Sequence, residues 1–317
     1  MTAVATHVRV GTRASRLARA QTTGVIEAML SRRAEAGGPT VSVDTVLVST
    51  EGDRSRAALA QIGGTGVFVS ALREGLLRGE IDVAVHSYKD LPTIPADGIT
   101  VAFVPRREDP RDALISRDRR TLGELPAGAT VGTGSPRRAA QLRALGLGLR
   151  IVELRGNVDT RLGKVADGTL DAVVLAYAGL HRLGRSDEVA EVLDPIQMLP
   201  APGQGALAVE CRADDDATRA VFTGLHDSAS GTAVAAERSL LYALEAGCSS
   251  PIGALAEIAE GEDGPEIYLR ASVTALDGSD SVRLSATAPV TDPIELGRTL
   301  AAELLDAGAD KMMERPT

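Results

Sequence analysis

The stretch HVRVGTRASRLARAQTTGVIEAML, residues 7–30, decides the fold class. A short β-branched run is followed at once by a helical pattern, and Ser15 stands where an N-cap belongs. The same alternation continues through VSVDTVLV, FVSALREGLLRG and IDVAVHS, which is the wiring of an α/β sheet. A second series follows Asp109: DALIS, then ATVGTG with PRRAAQLRALG, RIVEL with DTRLGKVADG, and DAVVLA with AGLHRLG.

The joints are VPRREDPRD and LPAPGQGALAVEC, both rich in proline, glycine or charge. They predict two α/β domains with a double crossing, the segment after Gly205 returning to the first domain as a further strand. The remainder differs in character. An alanine-rich helix ends at a glycine, and two alternating strands, IYLRASVTAL and SVRLSATAPV, are joined through an Asp-Gly turn before a last helix. The expected division is 1–105 with 205–222, 106–204, and an α+β domain over 223–317.

Composition bounds the function. The chain of 317 residues carries a net charge of −9, which argues against nucleic acid as its main partner. The start MTAVATHVRVG has no basic, apolar leader, and no window reaches the ~18 apolar residues a membrane span needs. A cytoplasmic protein is expected. Two cysteines, neither in a C-x-x-C or Cys/His cluster, form no disulfide framework and suggest no zinc. Cys211 closes an apolar run and reads as a core residue. Cys248 lies in a turn just past a helix end.

Ligands of α/β sheets bind beyond the carboxyl ends of strands, and here those ends carry cations. Arg13 and Ser15 follow the first strand, and Lys89 and Asp90 follow IDVAVHS. Ser135-Pro136-Arg137-Arg138 opens a helix whose free N–H groups favour anions. Arg155, Arg161 and Arg182 follow the next strands. Only Lys89, Lys164 and Lys311 are lysines, and arginine grips carboxylates in bidentate fashion. GGTGVF lacks the lysine and the threonine that would qualify it as a P-loop, so carboxylates fit this edge better than phosphates. Asp90 should stay ionised among the cations and suits a ligand N–H or a developing positive charge. His86 reads as a structural hydrogen-bonding group.

Eight motifs in order, GTRASRLA, AVHSYKDLP, REDPRDA, GTGSPRRAAQL, LRGNVDTRL, DAVVLAYAGLHRLG, LPAPGQGALAVECR and LEAGCSSPIG, span nearly the whole chain. In these the sequence resembles the porphobilinogen deaminase (hydroxymethylbilane synthase) family. The resemblance implies two domains like periplasmic binding proteins and a third, small one. It also implies a dipyrromethane cofactor tethered by thioether to Cys248, and no metal. By the same resemblance Lys89, Asp90, Thr133, Ser135, Arg137 and Arg138 hold the cofactor. Arg13, Ser15, Arg155, Arg161 and Arg182 grip incoming or growing pyrroles. Asp90 binds pyrrole N–H groups and stabilises the cationic azafulvene formed when ammonia leaves. The implied reaction joins four porphobilinogen molecules head to tail into a linear tetrapyrrole, in a protein expected to be a monomer. Many relatives carry lysines where this chain has Gln61 and Thr65, so the Gln61–Phe68 loop is expected to serve as a lid without cationic help.

Two readings of the bare architecture differ from this. A solute receptor would share the crossed α/β domains, and a thiol acyl-transfer enzyme would use Cys248 as nucleophile, for which no oriented histidine is evident.

Overall fold

The computed structural model describes residues 6–48, 69–247, 250–262 and 264–313. It divides into two units, 1–107 with 206–231, and 108–205 with 232–317. The first is built on a sheet of five strands among the described residues: β1 (His7–Arg13), β2 (Ser42–Val48), β3 (Val83–Ser87), β4 (Ile99–Phe103) and β10 (Leu207–Arg212). Their order is β2-β1-β3-β10-β4, with β1 parallel to both neighbours and β10 antiparallel to β3 and β4.

The opening stretch folds as its pattern dictates. Val8 and Val10 point into a core with Val25 and Met29 of the helix Arg16–Glu35, joined by Val83, Val85, Val209 and Phe222. Full burial of one such side chain is worth about 1.5–3 kcal/mol, so this face sets the helix on the sheet. Two polar contacts pin it near the strand ends: Thr22 Oγ1 donates to Thr12 Oγ1 at 2.8 Å, and Gln21 Nε2 donates to Ser87 Oγ at 2.9 Å.

In the second unit β5 (Asp112–Ser116), β6 (Thr130–Thr133), β7 (Arg150–Glu153), β8 (Ala172–Ala176) and β9 (Glu191–Val192) form a sheet ordered β7-β6-β8-β5-β9. Here β6 runs parallel to β7 and β8, and β5 antiparallel to β8. Leu114, Val131, Val174 and Leu142 pack one of its faces, and Ile115, Val173, Leu162 and Leu180 pack the other.

The same unit holds an antiparallel sheet of β11 (Ile252–Gly261), β12 (Gly264–Thr274) and β13 (Ser281–Pro289), with its own core against the helices Ser228–Ala243 and Pro293–Asp306. Two alternating strands were expected here; β11 is an addition. Its first five residues are all buried, so it lacks the period-two signal that marks a strand with one wet face. The long helix starts at Ser228, ahead of the alanine-rich run, because Asp227 accepts the Ser230 N–H at 2.8 Å.

Candidate functional site

In the first unit the carboxyl ends of adjacent parallel strands β1 and β3 carry the expected residues. Arg13 is the last residue of β1, and Ser15 caps the following helix, its Oγ accepting the Ala18 N–H at 3.2 Å. After β3 the chain makes one 3₁₀ turn, Tyr88–Asp90, which places Lys89 and Asp90 at the same edge. All four side chains are half-buried.

Beneath that turn lies a buried charged cluster. Arg73 donates to both carboxylate oxygens of Glu210, Nη2 to Oε1 at 2.7 Å, and His86 Nε2 lies 3.2 Å from Glu210 Oε2. Burial pushes the Glu210 carboxyl up, but His86 and Arg73 outweigh it and hold the group below the ordinary carboxylate range. His86, next to last in β3, is thus placed against a buried carboxylate close to the turn that presents Lys89 and Asp90.

In the second unit the edge is formed by the ends of β6, β7 and β8. Thr133 ends β6 and its Oγ1 accepts the Ser135 N–H at 3.2 Å. Ser135 caps the helix Pro136–Ala144, with Pro136 at its first position. Gly134 must be glycine: a Cβ there would lie 2.5 Å from the Leu154 carbonyl oxygen.

Arg137 and Arg138, although at a helix start, are buried, with 2% and 6% of their surface exposed. Both are held by Asp112, which is wholly buried. Arg138 donates Nε and Nη2 to Asp112 Oδ1 at 2.9 and 2.7 Å, and Arg137 Nη1 lies 2.8 Å from Oδ2. Gln204 Nε2 also donates to Asp112 Oδ1 at 2.7 Å, and Arg138 Nη1 donates to the Val174 carbonyl. Burial opposes the Asp112 charge, yet the two guanidinium groups overcome it and keep the carboxyl far below its usual range.

The remaining arginines are held by local acceptors. Arg161 Nε donates to the Gly156 carbonyl at 2.8 Å, and Arg182 Nη2 donates to the Gly205 carbonyl at 2.7 Å. Burial lowers the pKa of both; the charge of Arg138 lowers that of Arg161 further, and Glu108 partly offsets the effect at Arg182. Arg155 is exposed and donates Nη2 to Glu153 Oε1 at 2.6 Å.

Asp112, Gln204 and Glu153 were not among the residues picked from sequence. Asp112 opens a strand, DALIS, in which every residue is buried, and a carboxylate in such a place needs a charged partner. Cys211 is buried, and burial pushes its thiol up to about 11, as befits a core residue. Cys248 and the Gln61–Phe68 loop lie outside the described residues. Among the described residues no group of three or more His, Cys, Asp or Glu is placed to hold a metal ion, and no helix is long and apolar enough to cross a membrane.

Residues 8–220 match the family model of the porphobilinogen deaminase dipyrromethane cofactor binding domain, and residues 232–306 match that of the porphobilinogen deaminase C-terminal domain. The chain belongs to the porphobilinogen deaminase family. A porphobilinogen deaminase of Mycobacterium tuberculosis is 56% identical over 311 residues, 96% of this chain and 98% of that one. Those of Nocardia farcinica and Mycobacterium avium are 54% and 53% identical, over 98% and 96% of this chain and 89% and 96% of theirs.

The site residues can be tested against the family's dipyrromethane. Its rings bear acidic side chains, and the edge of the second unit offers what these need. Two buried guanidinium groups share one carboxylate, and Arg137 Nε is buried without a hydrogen-bond partner. The residues present fit the group.

Proposed function

We infer that the chain is a hydroxymethylbilane synthase, which deaminates porphobilinogen and condenses four units into a linear tetrapyrrole on a dipyrromethane fixed to Cys248. The observation that carries this is the buried Arg137–Asp112–Arg138 cluster beneath a Ser135-capped helix start, in a chain of this family. The three domains expected from sequence, a monomeric state and a cytoplasmic location belong to the same reading.

When bound, dipyrromethane supplies a fixed pyrrole carbon to which the first substrate unit is joined. Lys89, Thr133, Ser135, Arg137 and Arg138 hold its acidic side chains, the arginines as preformed donors whose position is already fixed by Asp112. Arg13, Ser15, Arg155, Arg161 and Arg182 bind the acetate and propionate of incoming units. Arg161 and Arg182 donate to main-chain carbonyls, so neither spends its charge on a hydrogen-bonded carboxylate. Asp90, on a tight turn at the end of a buried strand, accepts pyrrole N–H groups. Its fixed carboxylate offsets the positive charge that develops on the substrate nitrogen as ammonia leaves.

The test is intact mass. Purified protein should exceed its translated mass by two porphobilinogen units less two ammonias, and Cys248→Ala should lose both the excess and the activity. Cys211→Ala should keep both. An adduct found on Cys211, or no adduct on active protein, would refute the assignment.

A further inference from the structure

Three charged groups touch in the second unit with almost no access to solvent: Asp112 is 0% exposed, Arg137 2% and Arg138 6%. Two guanidinium charges against one carboxylate leave one positive charge in excess. A buried charge left uncompensated is costly, so the arrangement is either kept for an anion or would be discarded. One feature of the cluster points to an anion, a buried donor left over beside the excess positive charge. Arg137 Nη1 donates to the Leu199 carbonyl at 2.5 Å and lies 2.8 Å from Asp112 Oδ2, but Arg137 Nε is buried with no hydrogen-bond partner. The donor set of Arg137 is therefore unfinished, whereas Arg138 spends Nε and Nη2 on Asp112 and Nη1 on the Val174 carbonyl.

Asp112 itself cannot reach a ligand, since its two oxygens face the arginines and Gln204. We propose that Asp112 is a positioning residue: by neutralising one of the two buried arginines it holds both in place and sets the cluster to accept one carboxylate. That carboxylate belongs to a pyrrole acid, and to this extent the inference rests on the functional reading above. Without Asp112 the two guanidinium groups repel each other, and the pair needs an anion before it is stable. With Asp112 the pair is preorganised, and the ligand adds a contact without first having to assemble the site.

The test compares wild-type protein, Asp112→Asn, and the charge-restored variant Asp112→Asn with Arg137→Gln. Each is a full-length chain made without porphobilinogen and then loaded with hydroxymethylbilane. Intact mass reads the fraction carrying the adduct, and thermal unfolding is recorded before and after loading. Asp112→Asn without adduct is expected to melt roughly 5–10 °C below the wild type. It should regain at least half of that loss on loading, because the ligand's carboxylate replaces the missing anion. The double variant should melt within a few degrees of the wild type without adduct, yet load most slowly, since it has lost one donor. A merely structural aspartate would give a loss that neither loading nor the second substitution restores, and that result would overturn the proposal. So would an Asp112→Asn protein that melts with the wild type. Should Asp112→Asn fail to fold, the double variant decides: folded protein supports the charge balance, and unfolded protein overturns it. Wild-type protein that never acquires the adduct would overturn the functional reading instead.

Discussion

Replacing Gly134 by alanine probes whether the edge of the second unit is as tightly built as its geometry requires. A methyl carbon at Gly134 would sit 2.5 Å from the Leu154 carbonyl oxygen, whereas ordinary C···O contacts lie at about 3.3 Å or more. The obstacle is backbone, so the chain after β6 must move from the chain after β7 by roughly 0.8 Å. That movement breaks the bond in which the Leu154 N–H donates to the Thr133 carbonyl at 3.0 Å, worth about 1 kcal/mol. Overpacking adds about 1–3 kcal/mol, giving an expected loss of about 2–4 kcal/mol. Gly132 is the control: its methyl would meet side chains rather than backbone, the ends of Leu170 and Leu154 at 2.6 and 2.9 Å and Leu154 Cβ at 3.4 Å, and the two ends can shift at about 1 kcal/mol. Urea unfolding followed by far-ultraviolet circular dichroism suits a chain without tryptophan. Because the movement displaces Ser135 and Arg155 together, Gly134→Ala should also slow acquisition of the adduct, read by intact mass. A Gly134→Ala protein within about 0.5 kcal/mol of the wild type, or one more stable than Gly132→Ala, would refute the argument.

Two further outcomes are expected. Asp90→Asn keeps size and loses charge, so kcat on confirmed adduct-bearing protein should fall at least ~10²-fold; turnover within a few-fold of the wild type would show that charge at this turn is not what the reaction uses. Glu210 and Asp112 are both held below the ordinary carboxylate range, so their stabilisation is complete above an unfolded pKa of about 4 and is lost as pH falls through the folded values. The melting temperature should therefore hold from pH 7 to about 5 and decline below that, with a shallower decline for Glu210→Gln; parallel acid limbs for both proteins would count against the cluster.

What could be read from sequence divides along a physical line. Strand-helix alternation exposed the two α/β sheets because β1, β6, β7 and β8 each run straight into a helix. Ser15 and Ser135 were legible as caps because capping is a local event, decided within three residues. The strand β11 was missed because its first half is buried on both faces and has no alternation to detect. Asp112 was missed for a different reason: its partners, Arg137, Arg138 and Gln204, come from positions 25 to 92 residues away, and long-range pairing leaves no periodic trace.

The cations at the strand ends were readable as a set, but their internal partners were not, and the partners decide what each arginine can do. Arg161 and Arg182 donate to main-chain carbonyls, which carry no net charge and leave the guanidinium free to add a carboxylate. Arg155 already faces Glu153, so a ligand at that position must compete with an exposed ion pair worth at most about 1 kcal/mol. Arg137 and Arg138 face a buried carboxylate that no ligand can displace, because removing it would leave two buried cations. The same residue type is thus set to three tasks by its acceptor: a charge ready for any pyrrole acid, a charge exchanged at the surface, and a charge locked in place. On the proposed function, a growing chain that must pass successive rings over one edge needs the first two kinds to release each ring. Only the permanently tethered part of the chain can make use of the third.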